Sequence, residues 1–514
     1  MKILLIVILS LLGCLLIAVG VAVVMTLRRP KQTATYSPAP DGRGEEYARK
    51  LSRMIQVNTV SEADTDQREK FLAFHQVLEE LFPLVHQHLE KTEIDGNLLY
   101  YWKGRTSEKP LVLMSHQDVV PAGGGWLYDP FSGYIENGKV WGRGASDPKC
   151  SLMAFFQAVE EMLEEGIVPE NDVYLSSSCT EEWSGDGCEK LVDELERRGV
   201  RPFLVCDEGG SILTEPIGGI KGYFAMIGVC EKGKADIKLT ATSEGGHSSA
   251  PERHSPIARL SDFIHTFEHG HVFRRRISPE VQTMFERLAP YGNFRMRLIL
   301  GNLWLFKLPL LWLMPLFSAQ GAAMLQTTIA FTMLSGSDAC NVMPQEATLG
   351  ANLRFIPHEG LKESMDKVQR LAKKHKLTLE VLREQDVSRV TDSKGEGYRL
   401  VERVIQGNFP GIVTSPYIMT GATDSRNYER ICDNVVRFAP VVYGPEQMKG
   451  IHGMNENIGI DCLSGAVDFY KSLIQMNGVL PMEETTVAVD PDPATDTAVS
   501  AESADPAAPV VEQA

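Results

Sequence analysis

The hydrophobic pattern opens with an unbroken apolar run. Residues 3–27 carry no charge, and they exceed the roughly 20 residues that a helix needs to cross a bilayer. A cleaved signal peptide has a shorter apolar core of about 7–15 residues. Leu-Leu-Gly-Cys14 is similar to a lipoprotein cleavage site, but the run continues well past it. The pattern predicts an uncleaved, single-pass anchor over 1–30. Lys2 on one flank and Arg28, Arg29 and Lys31 on the other lean only slightly toward a cytoplasmic body and leave the side of the membrane open. Residues 31–44, rich in Pro, Gly, Ser and Thr, read as a linker.

Beyond it the period changes. Residues 45–55 and 67–81 have apolar positions at helical spacing. Strand-like and helix-like segments then alternate: strands at 98–102, 111–114, 173–177 and 203–206, helices at 152–163 and 188–198. Such alternation predicts a sheet covered by helices. After Gly222 the pattern shifts to strands at 235–242, 327–332, 347–354 and 377–382, with helices at 256–265 and 361–375. Two strands and a helix, repeated, predict a small α+β module inserted into the first domain. A buried strand over 435–442 and a helix over 458–473 return to the first pattern. Residues 298–317, rich in Leu and Trp, are interrupted by Asn302, Lys307, Pro309 and Pro315. A second membrane span is therefore not expected. The stretch reads as a buried helical excursion, with a greasy surface that touches a bilayer or a lipid chain as the alternative.

Composition narrows this picture. A chain of 514 residues is too long for one core. The formal net charge of −16 argues against nucleic-acid binding, which wants a basic face. Part of that charge lies in 479–514, a stretch without aromatic residues that reads as a disordered acidic tail. The nine cysteines include no CxxC pair and form neither a disulfide framework nor a cysteine zinc site.

The candidate chemistry lies where strands run out, the place where open α/β sheets bind ligands. His116 and Asp118 follow the strand ending at Met114. Asp147 lies in Gly-Arg-Gly-Ala-Ser-Asp-Pro-Lys, just before a helix. Glu181 and Glu182 follow the strand ending at Ser177, Asp207 follows Leu204-Val205-Cys206, and His452 lies in Ile-His-Gly-Met-Asn-Glu. Each alone reads as an ordinary polar loop. Together they bring two imidazoles and several carboxylates to one sheet edge, a mixture that suits zinc. So many carboxylates repel one another unless cations neutralise them, and two ions sharing a bridge use the surplus ligands.

These segments resemble those of the zinc-dependent aminoacylase and carboxypeptidase family, in the branch that contains vacuolar carboxypeptidase S and the secreted N-fatty-acyl-amino-acid hydrolases. The resemblance rests on Ser-His-Gln-Asp-Val-Val-Pro, Trp-Gly-Arg-Gly-Ala-Ser-Asp-Pro-Lys, Thr-Glu-Glu, Cys-Asp-Glu-Gly-Gly, His-Gly-Met-Asn-Glu, Gly-Gly-His-Ser-Ser and Asn-Val-Met-Pro. It spans about 45–476. It implies an α/β fold of two domains: a catalytic, mostly parallel sheet sandwiched by helices (45–221 and 391–478), and an inserted ferredoxin-like α+β lid and dimerisation domain (222–390).

The resemblance also implies residue roles. Asp147 bridges two zinc ions, with His116 and Asp207 completing one shell and Glu182 and His452 the other. Asp118 orients His116. Glu181 is the general base, taking a proton from the attacking water and delivering one to the leaving nitrogen. Pro148 follows Asp147 where relatives carry a cis peptide bond, and a cis Asp147–Pro148 bond is expected. In the lid, His247 stabilises the oxyanion and in dimeric relatives comes from the neighbouring subunit; Asn341 and Arg354 hold substrate. Gly421-Ala-Thr-Asp-Ser-Arg426 resembles a substrate-side loop without individual roles.

The reading is a membrane-tethered di-zinc hydrolase that cleaves an amide bond next to a free α-carboxylate and releases an amino acid. Its substrate is a small peptide. The alternative is an N-acyl amino acid, the chain then acting as an N-fatty-acyl-amino-acid hydrolase or synthase. An inactive metal-binding membrane protein is the reading from another class. A homodimer through the inserted domain is expected.

Overall fold

The computed structural model describes residues 2–38, 41–63 and 68–478; the tail expected over 479–514 lies outside them. Lys2–Arg28 is one continuous helix of 27 residues, almost wholly exposed and long and apolar enough to cross a membrane. At 1.5 Å per residue it reaches about 40 Å, more than the hydrocarbon thickness of a bilayer.

Among the described residues, ten strands form one large sheet. Its centre is parallel: Thr106–Met114 lies between Asn171–Ser177 and Leu204–Asp207, and Val435–Arg437 continues the parallel run beside Leu204–Asp207. The apolar run 111–114 alternates between two cores. Leu111 and Leu113 face the helices Gly44–Ile55, Lys149–Glu164 and Leu463–Met476. Val112 and Met114 face the helix Gly187–Arg197. A strand buried on both faces has this near-continuous apolar composition.

A second sheet of four strands has the order Thr328–Ser335, Glu346–Phe355, Gly233–Thr242, Thr378–Gln385, all antiparallel. With the helices Pro256–His269 and Leu361–Lys374 it makes the βαββαβ arrangement of a ferredoxin-like module and has its own core. Gly233–Thr242 alternates buried and half-buried positions along most of its length, as a sheet with one covered face requires. Phe224–Glu231 pairs into the large sheet, so the small sheet begins at Gly233.

Two expectations change. The strand over 435–442 is broken into Val435–Arg437 and Val442–Tyr443, which lie at separate places in the sheet. Pro440 stands between them, and proline cannot donate to a ladder. Residues 298–317 do form a helix, Leu303–Phe317, but Leu303 is its only buried residue. The excursion is seated on the body along one side and exposed along the other.

Beside the sheet's carboxyl edge, the fully buried Arg437 ties several elements together. Its Nε donates to Glu231 Oε1 (2.8 Å), its Nη2 to Glu429 Oε1 (3.1 Å) and its Nη1 to the Val435 carbonyl (3.2 Å). Glu231 Oε1 also accepts the Thr423 hydroxyl (2.9 Å), so this pair anchors the loop 421–426. Removing one partner of a buried pair leaves the other charge without compensation. Arg437→Ala should therefore lower the unfolding free energy by roughly 3–5 kcal/mol, and the apolar pair Arg437→Met/Glu231→Leu by less. Urea denaturation of both variants checks the order; a double variant as unstable as the single one contradicts it.

Candidate metal centre

The strand Thr106–Met114 delivers its polar continuation to the carboxyl edge of the sheet. Gln117 turns away to bond His75 Nε2 (3.0 Å) and the Gly96 carbonyl (2.9 Å). His116 and Asp118 turn toward the cleft. Asp118 is fully buried, and its Oδ1 lies 3.3 Å from His116 Nδ1, with its own carbonyl 2.9 Å from the same nitrogen. A ring nitrogen held in this way leaves Nε2 facing the site. Asp118 Oδ2 also accepts the Ser61 hydroxyl (2.5 Å) and the Glu182 amide (3.1 Å), fixing the turn that carries Glu181 and Glu182.

Around His116 Nε2 stand Glu208 Oε1 at 3.2 Å, Asp147 Oδ1 at 3.4 Å and Glu181 Oε2 at 3.8 Å. The other oxygen of Asp147 lies 3.1 Å from His452 Nε2, and Glu182 Oε2 lies 3.2 Å from that nitrogen. Two donor triads result, His116–Asp147–Glu208 and Asp147–Glu182–His452, with Asp147 common to both. Donors about 2.0–2.1 Å from a tetrahedral zinc ion lie about 3.3 Å from one another. The 3.1–3.4 Å separations within the triads fit that spacing, and the nitrogen and oxygen donor set suits the metal.

The acid beside His116 is Glu208, where the resemblance implies Asp207. Asp207 closes the strand Leu204–Asp207, and its Oδ2 accepts the Ser425 amide at 3.0 Å. Successive side chains of an extended chain point to opposite sides, so of the pair in Cys-Asp-Glu-Gly-Gly one braces the loop 421–426 and the other faces His116. The doubled acid was the available signal; nothing in the spacing chose between its members.

Asp147 owes its position to Glu456. That fully buried carboxylate accepts the amides of Gly144 (3.1 Å), Ser146 (2.8 Å) and Asp147 (3.0 Å) and the Arg143 Nη1 (2.7 Å). Gly144 has φ +87°, and a Cβ there would meet Val119 Cγ1 at 2.8 Å, so the loop accepts only glycine. The Asp147–Pro148 bond is cis, as expected.

A cavity of about 760 Å³ opens over these groups. Also lining it are Arg354 and Lys234, directly paired on neighbouring strands of the small sheet, together with Arg426. Lys234 Nζ reaches Ser184 Oγ at 2.8 Å, touching the turn that follows Glu182. His247 and Asn341 do not line this cavity. His247 is exposed on a short ladder, with Nδ1 2.8 Å from Ser249 Oγ, and the Asn341 carbonyl accepts the Ser248 amide beside it. Arg426 closes the stretch that resembles a substrate-side loop, whereas nothing in the sequence marks Lys234, because an isolated cation on a strand carries no pattern.

Electrostatics set the state of the cluster. Burial, with Asp424, Glu208 and Glu182 nearby, pushes the Glu181 carboxyl well above the usual range. Burial likewise pushes Glu208 up to about 8. Hydrogen bonds to Asp147 and Glu182 push His452 up to about 10.

Comparison with known proteins places these features in context. Residues 112–476 match peptidase family M20/M25/M40. The chain is 32% identical over 445 residues to the probable carboxypeptidase S-like 2 of Dictyostelium discoideum, covering 84% of this chain and 85% of that protein. It is 33% identical over 456 residues to the human N-fatty-acyl-amino acid synthase/hydrolase PM20D1, covering 86% and 90%. Among solved structures, the M20 family metallo-carboxypeptidase Sso-CP2 from Sulfolobus solfataricus superposes with a TM-score of 0.63 at 19% identity, over 85% of this chain and 100% of that one. Human carnosine dipeptidase 1 gives 0.58 at 16% identity, over 85% and 97%.

Metal ligands must shed their protons. The raised values of His452 and Glu208 mean that protons occupy the cluster at neutral pH and leave as pH rises toward 8–10. Zinc affinity should therefore strengthen from pH 6 to pH 8, with net proton release on binding. Titration calorimetry in two buffers of different ionisation enthalpy checks both; a pH-independent affinity without proton release contradicts the assignment.

Proposed function

This chain belongs to peptidase family M20/M25/M40 and is a metal-dependent hydrolase, and on that premise we propose that it cleaves the amide bond adjoining a free α-carboxylate, releasing an amino acid. One observation carries this reading. Two donor triads share Asp147, Glu181 stands 3.8 Å from His116, and the cations Arg354 and Lys234 line the same cavity.

We assign His116, Asp147 and Glu208 to one zinc ion and Asp147, Glu182 and His452 to a second. When bound, such a pair polarises a carbonyl and makes water acidic. The chain's own side chains do the rest. Asp118 holds His116 by its Nδ1, so that Nε2 stays directed at the site. Arg354 receives the substrate carboxylate through its guanidinium fork, with Lys234 adding charge beside it. Glu181 takes the proton of the attacking water and returns it to the departing nitrogen. Its raised pKa suits it to hold that proton between the two steps. The exposed His247 and Asn341 serve the cleft of a second copy, which makes a homodimer through the small sheet part of the proposal. Lys2–Arg28 tethers the enzyme to a membrane as a single span.

A second reading, an N-fatty-acyl amino acid as substrate, has its own support. Leu213, Met226, Tyr417, Met419 and Met448 add apolar surface to the lining of the cavity. Such surface receives an acyl chain as readily as an apolar peptide side chain, and the human relative carries an N-fatty-acyl-amino acid name.

Two measurements test these assignments. Glu181→Gln should retain zinc by metal analysis and lose roughly 10²–10⁴-fold in kcat; unchanged turnover removes the mechanism. Purified enzyme offered a dipeptide and an oleoyl amino acid should release the amino acid from at least one of them. Turnover of the dipeptide alone excludes the acyl reading, and turnover of neither excludes the proposed reaction.

A further inference from the structure

The helix Leu303–Phe317 is too apolar for a surface helix and too exposed for a core helix. Its sequence, Leu-Trp-Leu-Phe-Lys-Leu-Pro-Leu-Leu-Trp-Leu-Met-Pro-Leu-Phe, contains one charge. Leu310, Leu311 and Met314 pack inward against the cluster around Phe224, Phe285 and Leu288. The other side is bare: Leu308 is 69% exposed and Phe317 84%, with Trp304, Trp312, Leu313 and Leu316 exposed between them. Residues 304, 308, 312 and 316 recur every fourth position, and 309, 313 and 317 make the adjoining row. They form one continuous apolar face.

This face lies beside the anchor. The end of Lys2–Arg28 packs against both Phe294–Leu300 and Leu303–Phe317. Arg297 Nη2 donates to the Thr26 carbonyl (2.7 Å), Asn302 Nδ2 to the Thr26 hydroxyl (3.1 Å), and the Gln32 amide to the Pro290 carbonyl (3.0 Å). These bonds fix the exit of the anchor to the foot of the apolar helix. Cations cluster at the same level: Arg28, Arg29 and Arg295 are exposed there, and a cavity of about 340 Å³ opens between Arg28, Arg29 and Arg297. Such a cluster complements anionic lipid head groups. Indole rings on an apolar face suit the boundary between head groups and acyl chains.

Fifteen residues span about 22 Å, short of a bilayer's hydrocarbon core, and the helix meets its predecessor at 102°. It cannot continue across the membrane in that geometry. We propose that Leu303–Phe317 is an in-plane membrane helix, its Trp304–Phe317 face sunk into the leaflet from which the anchor's Arg28 end emerges. The occupant of the apolar face is lipid, and the body is held against the bilayer at two points instead of hanging from a linker. The inner side of the same helix belongs to the apolar cluster that includes Leu213, Met226 and Tyr417 of the cleft wall. The seating thus brings the apolar side of the cleft toward the membrane. The inference rests on the proposed membrane tether.

Tryptophan makes the test specific. Lys2–Arg28 contains none, whereas Leu303–Phe317 carries two of the six in the chain. The full-length protein, reconstituted into phosphatidylcholine–phosphatidylglycerol vesicles with brominated acyl chains, is floated on a gradient and its tryptophan emission compared with that in unbrominated vesicles. The expected result is flotation with quenching, most of the quenching disappearing in Trp304→Tyr/Trp312→Tyr, which keeps the fold and activity. Flotation without quenching, or quenching that survives the double substitution, overturns the in-plane helix while leaving the tether intact. Failure to float overturns both. Quenching lost to cross-linking between copies through this face assigns it to a second chain and also overturns the proposal.

Discussion

One buried carboxylate holds the centre together. Glu456 sits in a ring of donors from residues 143–147, more than 300 positions earlier in the chain, and its neighbour Asn457 accepts the Ser146 hydroxyl at 2.7 Å. Convergent amides make a concavity that selects an anion, and here the anion belongs to the protein itself. The clasp fixes Asp147 at the start of its helix and holds His452, four residues before Glu456, over the opposite side of Asp147. Both triads therefore depend on Glu456, a carboxylate that belongs to neither of them.

Around that clasp the electrostatics are deliberately unfavourable. Asp147, Glu181, Glu182 and Glu208 converge on two imidazoles. In water such acids would disperse; the sheet edge prevents it because each is fixed to a different strand end or turn. Protons or bound cations would relieve this repulsion. The cations Arg354, Lys234 and Arg426 come from the small sheet and the 421–426 loop and line the same cavity as the acids.

Much of this was legible in the chain. Alternating periods separated the buried parallel strands from the half-covered antiparallel ones, because each environment imposes its own spacing. His116, Asp147, Glu182 and His452 were readable because each follows a strand end or precedes a helix. What was not legible depended on direction. Asp207 and Glu208 are adjacent, and only the path of the chain after the strand tells which one faces the cleft. Glu456 stood within a recognised motif, yet its role is invisible without its distant partners. The stretch 298–317 looked like core because composition records apolarity and not which side is covered.

The order of the segments has a consequence for synthesis. His116 emerges from the ribosome early, whereas His452 and Glu456 follow more than 300 residues later. A nascent chain can assemble neither the second triad nor the clasp until the whole inserted module has been made. The centre is therefore completed only after nearly all of the catalytic sheet and the inserted module have been synthesised.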